Sequence, residues 1–107
     1  MKISGHMLIG QRSVKGHKKA IRAQNPATNE FLEPAFLGGD QQHVDQAAAL
    51  AWQAFDAYRA ASVEQRAAFL ECIADEIMAL DDILVERAMA ESGLPKARIE
   101  GERGRTM

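Results

Sequence analysis

The 107 residues carry 13 lysines and arginines against 15 aspartates and glutamates, a formal charge of -2, with 47% apolar and 26% charged positions. This balance suits one small domain with a modest core and excludes a disordered chain, while the acidic sum gives no electrostatic hold on nucleic acid or an anionic membrane. A single cysteine excludes an intrachain disulfide, and no apolar run has the length of a leader or a span, so the chain reads as cytoplasmic.

The chain divides at Gly38-Gly39. "SGHM", residues 4–7, has the look of a cloning remnant, yet "HMLIG" runs straight into the first extended stretch and is read as native. Residues 7–14 and 20–24 are extended candidates, separated by "KGHKK", residues 15–19, whose glycine and charges suit a hairpin connection. In "NPATNE", residues 25–30, Asn25 can accept from the backbone two residues on, Pro26 fixes one torsion and Asn29 tolerates a left-handed conformation, which together make a tight turn. "FLEPAFL", residues 31–37, returns as a third extended segment, on an edge because Pro34 has no N–H for a ladder.

Beyond the glycines the apolar period becomes helical. Val44, Ala47, Ala48, Ala51, Phe55 and Tyr58 form one stripe, with Asp40 placed ahead of them as a cap. Ser62 and Gln65 read as a capping box opening a second helix, with Phe69, Leu70, Ile73, Ile77 and Leu80 on its apolar face. Asp81 and Asp82 stand where a break and a new cap belong. A third stripe of Ile83, Leu84, Ala88 and Met89 then runs to Gly93, a suitable C-terminal cap, and Pro95 suits the first turn of a fourth helix. That last helix has no stop signal before Met107 and reads as truncated. As an isolated chain the fold class is α+β: a strand pair and a third extended segment in residues 1–39, then three to four helices in residues 40–107, forming a single incomplete segment.

The search for chemistry returns few candidates. His6, His17 and His43 are scattered along the chain, and Cys72 has no companion cysteine, so no metal site is expected. Cys72 lies mid-helix between Leu70 and Ile73 and reads as a buried packing residue rather than a nucleophile. Gly38, Gly39 and Asp40 open a helix, where anions can bind, but the motif lacks the lysine and further glycine of a phosphate loop and carries a carboxylate of its own. Glu71, Asp75 and Glu76 read as a solvated face, and Trp52, Phe55 and Tyr58 as core aromatics. Lys15, Lys18 and Lys19 with Arg98, Arg103 and Arg105 could make a basic patch, but acidic residues interleave the arginines. No catalytic, cofactor-binding or metal-ligating residue is assigned.

"NPATNE", then "VDQAAALAWQAFDAYRAASVEQRAAFLECIADEI", then "ERAMAESGLPKARIEGERGRT" resemble, in that order, the N-terminal segment of the NAD(P)+-dependent aldehyde dehydrogenase superfamily. The stretch "AESGLPKARIEGERGRT" is most similar to the branch that oxidises alpha-ketoglutarate semialdehyde, also called 2,5-dioxovalerate. Asn29 stands where the family usually has glycine, a departure that touches only turn geometry.

The resemblance implies a much longer parent: an oxidoreductase with NAD or NADP as cofactor, of whose α/β cofactor-binding domain this chain would be part, assembled as a homo-oligomer. It further implies that the nucleophilic cysteine, the general-base glutamate, the oxyanion-hole asparagine and the nucleotide loop lie in motifs beyond Met107. Cys72 matches none of them. The chain alone is then expected to be inactive, to bind no nucleotide, and to have the remainder of the dehydrogenase chain as its partner. The alternative reading is a self-contained small helical interaction module.

Overall fold

A computed structural model describes residues 2–107, which group into two compact units. One comprises Lys2–Arg22 with Glu33–Ser62, the other Ala23–Leu32 with Val63–Met107.

In the first unit, β1 (Met7–Ile9) and β2 (Arg12–Val14) pair antiparallel, with Met7 opposite Val14 and Ile9 opposite Arg12. The strand pair therefore closes within residues 7–14 rather than across "KGHKK". Gly10, at φ +59°, supplies the left-handed turn residue that reverses the chain after only three residues. "KGHKK" leads instead from β2 to β3 (Ala20–Ile21), which pairs antiparallel with β4 (Phe36–Leu37). Gly16 makes this route possible. A Cβ there would stand 2.2 Å from the carbonyl oxygen of Leu37 and 2.5 Å from that of Gly38, so only glycine fits. The Gly38 carbonyl accepts from the backbone N–H groups of His17 and Lys18 at 3.1 and 3.0 Å. Residues 31–37 do not return as one extended segment: Phe31 forms an isolated bridge with Gln24, the chain bends at Glu33 and Pro34, and only Phe36 and Leu37 join this ladder.

Helix α1 (Gln41–Ala60) follows, capped by Asp40 as its position suggested. Ile9 is buried, and Val44, Ala47 and Leu50 of α1 line hollows beside it. The stripe as a whole is not covered: α1 holds no buried residue.

The second unit starts with the turn. Ala27 N–H donates to Asn25 Oδ1 at 2.9 Å, Asn29 N–H to the Asn25 carbonyl at 2.8 Å, and Asn29 takes φ +63°, as its side chain allows. Helix α2 (Val63–Ala79) is followed by α3 (Asp81–Ser92) and α4 (Lys96–Thr106). The break falls at the aspartates, but they do not cap. Leu80 is the N-cap and offers no side-chain bond, Asp81 turns the chain at φ +45°, and Asp82 pairs with Lys96 Nζ at 3.3 Å. Both carboxylates still lie in the first turn of α3, where the helix's partial positive charge favours them.

Gly93 ends α3 at φ +71°, its N–H donating to the Met89 carbonyl at 2.9 Å. A Cβ on Gly93 would come within 3.0 Å of Pro26 Cγ, so the "NPATNE" turn sits against the end of α3. Pro95 is the N-cap of α4 rather than part of its first turn, its carbonyl accepting from Arg98 and Ile99. The small core of this unit is the contact of α3 with α4, around a fully buried Val85.

Candidate functional site

The start of α1 gathers three side chains that sequence reading left apart. Asp40 and His43 form a reciprocal capping box: the His43 N–H donates to Asp40 Oδ1 at 3.1 Å, and the Asp40 N–H donates to His43 Nδ1 at 3.0 Å. An imidazole thus replaces the glutamate or glutamine usual at this position. From the loop after β2, His17 reaches the other carboxylate oxygen, Nε2 to Oδ2, at 2.7 Å. The two imidazole rings lie 5.4 Å apart, centroid to centroid, tilted by 48°.

The His43 backbone N–H is the largest influence holding the Asp40 carboxyl below its ordinary value of 3.8; desolvation, next in size, opposes it, and electrostatic attraction to the His43 and His17 rings and the His17 hydrogen bond act with the first. His17 is largely exposed, whereas Asp40 and His43 are mostly covered. The local signal for part of this cluster is the spacing of Asp40 and His43 across the first turn. Nothing in the sequence marks His17, which arrives only because Gly16 lets the loop lie against Leu37 and Gly38.

The other candidates have contacts of their own. His6 Nδ1 is 2.9 Å from Ser13 Oγ on the first hairpin. Glu71, Asp75 and Glu76 are exposed along α2, as a solvated face. Arg98 and Arg105 pair with Glu102 at 2.9 and 3.8 Å, and Arg103 donates to the Asp81 carbonyl at 3.3 Å, so α4 spends its arginines locally.

Two expectations are corrected. Cys72 is exposed rather than buried, and Trp52, Phe55 and Tyr58 are exposed rather than in a core, Trp52 by 82%. The reason is common to both: α1 and α2 have apolar stripes but no buried residue, because these residues supply too little surface to cover them. Arg59 lies over the Phe55 ring at 5.4 Å, which shields part of one aromatic. In the second unit an apolar groove of about 380 Å³ runs between Ile77, Leu80, Leu84, Ala88 and Ile99 above Val85.

At the opening of α1 the first-turn N–H of His43 is already held by Asp40 Oδ1, so a carboxylate of the chain itself meets the positive end of the helix. Among the described residues, no helix is long and apolar enough to cross a membrane.

The sequence profile described as the aldehyde dehydrogenase family matches residues 13–107. The chain is 53% identical over 108 residues to "Alpha-ketoglutaric semialdehyde dehydrogenase 2" of Azospirillum brasilense, an alignment that takes in 100% of this chain and 21% of that protein. It is 36% identical over 102 residues to "Alpha-ketoglutaric semialdehyde dehydrogenase" of Acinetobacter baylyi, with 95% of this chain and 19% of that protein covered. The chain thus spans about a fifth of the length of these curated relatives. The order of turn and helices and the extent of these matches agree: the chain belongs to the aldehyde dehydrogenase family.

Proposed function

We propose that this chain is the N-terminal scaffold segment of an NAD(P)+-dependent dehydrogenase that oxidises alpha-ketoglutarate semialdehyde to the carboxylate. The observation that carries the reading is the 53% identity, sustained over the whole chain, to an enzyme named for that aldehyde. The nicotinamide cofactor accepts the hydride in such an oxidation. The residues described here contribute surfaces. The apolar stripes of α1 and α2, with Trp52 and Phe55, and the groove above Val85 pack against the remainder of the polypeptide, and the complete enzyme is a cytoplasmic homo-oligomer. Cys72 takes no catalytic part in this reading, and the nucleotide is held by residues outside this segment.

A chimera tests it. These 107 residues replace the matching segment of the Azospirillum brasilense enzyme, and reduction of NAD+ and NADP+ is followed with alpha-ketoglutarate semialdehyde as substrate. Activity close to that of the parent is expected; a folded chimera that oxidises nothing counts against the assignment. The chain alone is titrated calorimetrically with each nucleotide, and no saturable binding is expected. Saturation at micromolar concentration would make the opening of α1 a nucleotide seat and overturn the scaffold role.

A further inference from the structure

We infer that His17, Asp40 and His43 form a binding site for a borderline divalent transition-metal ion, Zn2+ being the representative, which fastens the loop after β2 to the start of α1. One ligand atom from each of the three residues lies within 4.8 Å of the others. Tetrahedral zinc with bonds of about 2.0–2.2 Å needs its ligands roughly 3.3 Å apart, so the atoms are within a small adjustment of a coordination shell that water completes.

The arrangement also has an electrostatic reason to take a cation. With its proton on Nε2, as the hydrogen bond from the Asp40 N–H requires, His43 turns the Nδ1 lone pair to within 3.0 Å of Asp40 Oδ1. Two electron-rich atoms then face each other on one side of the carboxylate, while His17 approaches the other oxygen at 2.7 Å. A metal ion accepts density from all three groups. His17 binds through Nε2 once its ring proton sits on Nδ1, so a neutral ring enters the site without net proton release.

The ligand types and their surroundings select the ion. Lys15, Lys18 and Lys19 on the same loop and the positive end of α1 oppose ions held by charge alone. Two imidazoles and one carboxylate favour Zn2+, Ni2+, Co2+ or Cu2+ over Ca2+ and Mg2+, which take oxygen ligands in larger number. The backbone is already in place. The Gly38 carbonyl holds the His17 and Lys18 N–H groups, and a Cβ at Gly16 would prevent the approach, so the ion orders side chains rather than folding a loop. The site does not depend on the dehydrogenase reading, and its test uses no enzyme activity.

The 107-residue chain is titrated with Zn2+ by calorimetry, and with Co2+ by visible absorption, in a large excess of Mg2+. One equivalent is expected to bind, with a nitrogen and oxygen Co2+ spectrum lacking thiolate charge transfer. His17→Ala, on an exposed loop, and Asp40→Asn, which keeps a capping acceptor, should each weaken binding by roughly tenfold or more, at least the loss seen on removing an outer-shell partner of a metal ligand. His6→Ala and Cys72→Ser should bind as the parent does. Absence of binding in the parent, competition by Mg2+, equal affinity in the His17→Ala and Asp40→Asn variants, or loss in Cys72→Ser would each overturn the proposal.

Discussion

Asp40 gathers three polar contacts of the first unit. It caps α1, accepts from His17 and receives the reciprocal ring of His43. Because the folded chain holds its carboxyl below 3.8, the unfolded chain takes up the proton first as the pH falls. The stability it contributes is complete above 3.8 and is lost as the pH drops through the lower folded value. Amide exchange at His43, followed by nuclear magnetic resonance with chelator present, should stay protected down to that range. Asp40→Ala should remove this protection at all pH values, and Asp40→Asn should largely keep it, since asparagine also caps. Protection already lost at neutral pH in the parent would show that the box does not form. At this scale the sequence spoke where contacts are local. Asn25 and Asn29 made their turn through their own neighbours, and Asp40 capped the helix that follows it. His17 meets Asp40 across 23 positions, and that closure depends on where a loop lies, which residue types do not reveal.

Helices were legible as elements because their period repeats over many residues, whereas strands of two or three residues have no period to read. A single Gly10 in a left-handed turn was enough to split residues 7–14 into a hairpin of its own and leave β3 to pair with β4. Helical periodicity identifies which face is apolar but not whether anything covers it, and this is why Cys72 and Trp52 were misjudged. The contact of α3 with α4 shows the difference covering makes. Val85 is fully buried there, so Val85→Ala should cost about 1.5 kcal/mol, mostly through lost transfer of two methyl groups, since the open groove beside it lets neighbours relax into the space. Trp52→Ala, at an exposed position of α1, should fall within about 0.5 kcal/mol of the parent in the same chain. Denaturant titration of both variants, at dilutions where self-association is weak, is the check, and equal costs there would mean that α1 is covered by a contact within the chain that is absent from the structure.

For the whole molecule the controlling quantity is surface. Val44, Phe55 and Leu70 are each more than half exposed, and Ile73 by 41%. Among the described residues only Ile9 and Val85 are buried apolar side chains. A polypeptide with stripes such as Val44, Phe55, Leu70 and Ile73 left in water gains by covering them, with a second copy when nothing else is offered. The 107-residue chain by itself should therefore sediment as oligomers or as a broad distribution, not as a monodisperse monomer. Cys72 reports the same property chemically. It is exposed on α2, so a thiol reagent should label the native chain nearly as fast as the unfolded one at dilutions where self-association is weak. In the chimera with the Azospirillum brasilense enzyme, where the proposed remainder of the polypeptide covers α2, labelling of Cys72 should slow by orders of magnitude until denaturant is added. Cysteines contributed by the host enzyme are replaced beforehand or distinguished by mass spectrometry of the labelled peptide. A sharp monomer peak with slow labelling in the isolated chain would mean that these helices close on one another and would favour a self-contained interaction module. Fast labelling in both settings would mean that the face bearing Cys72 is a true surface of the enzyme, and that the apolar stripes alone meet the rest of the fold.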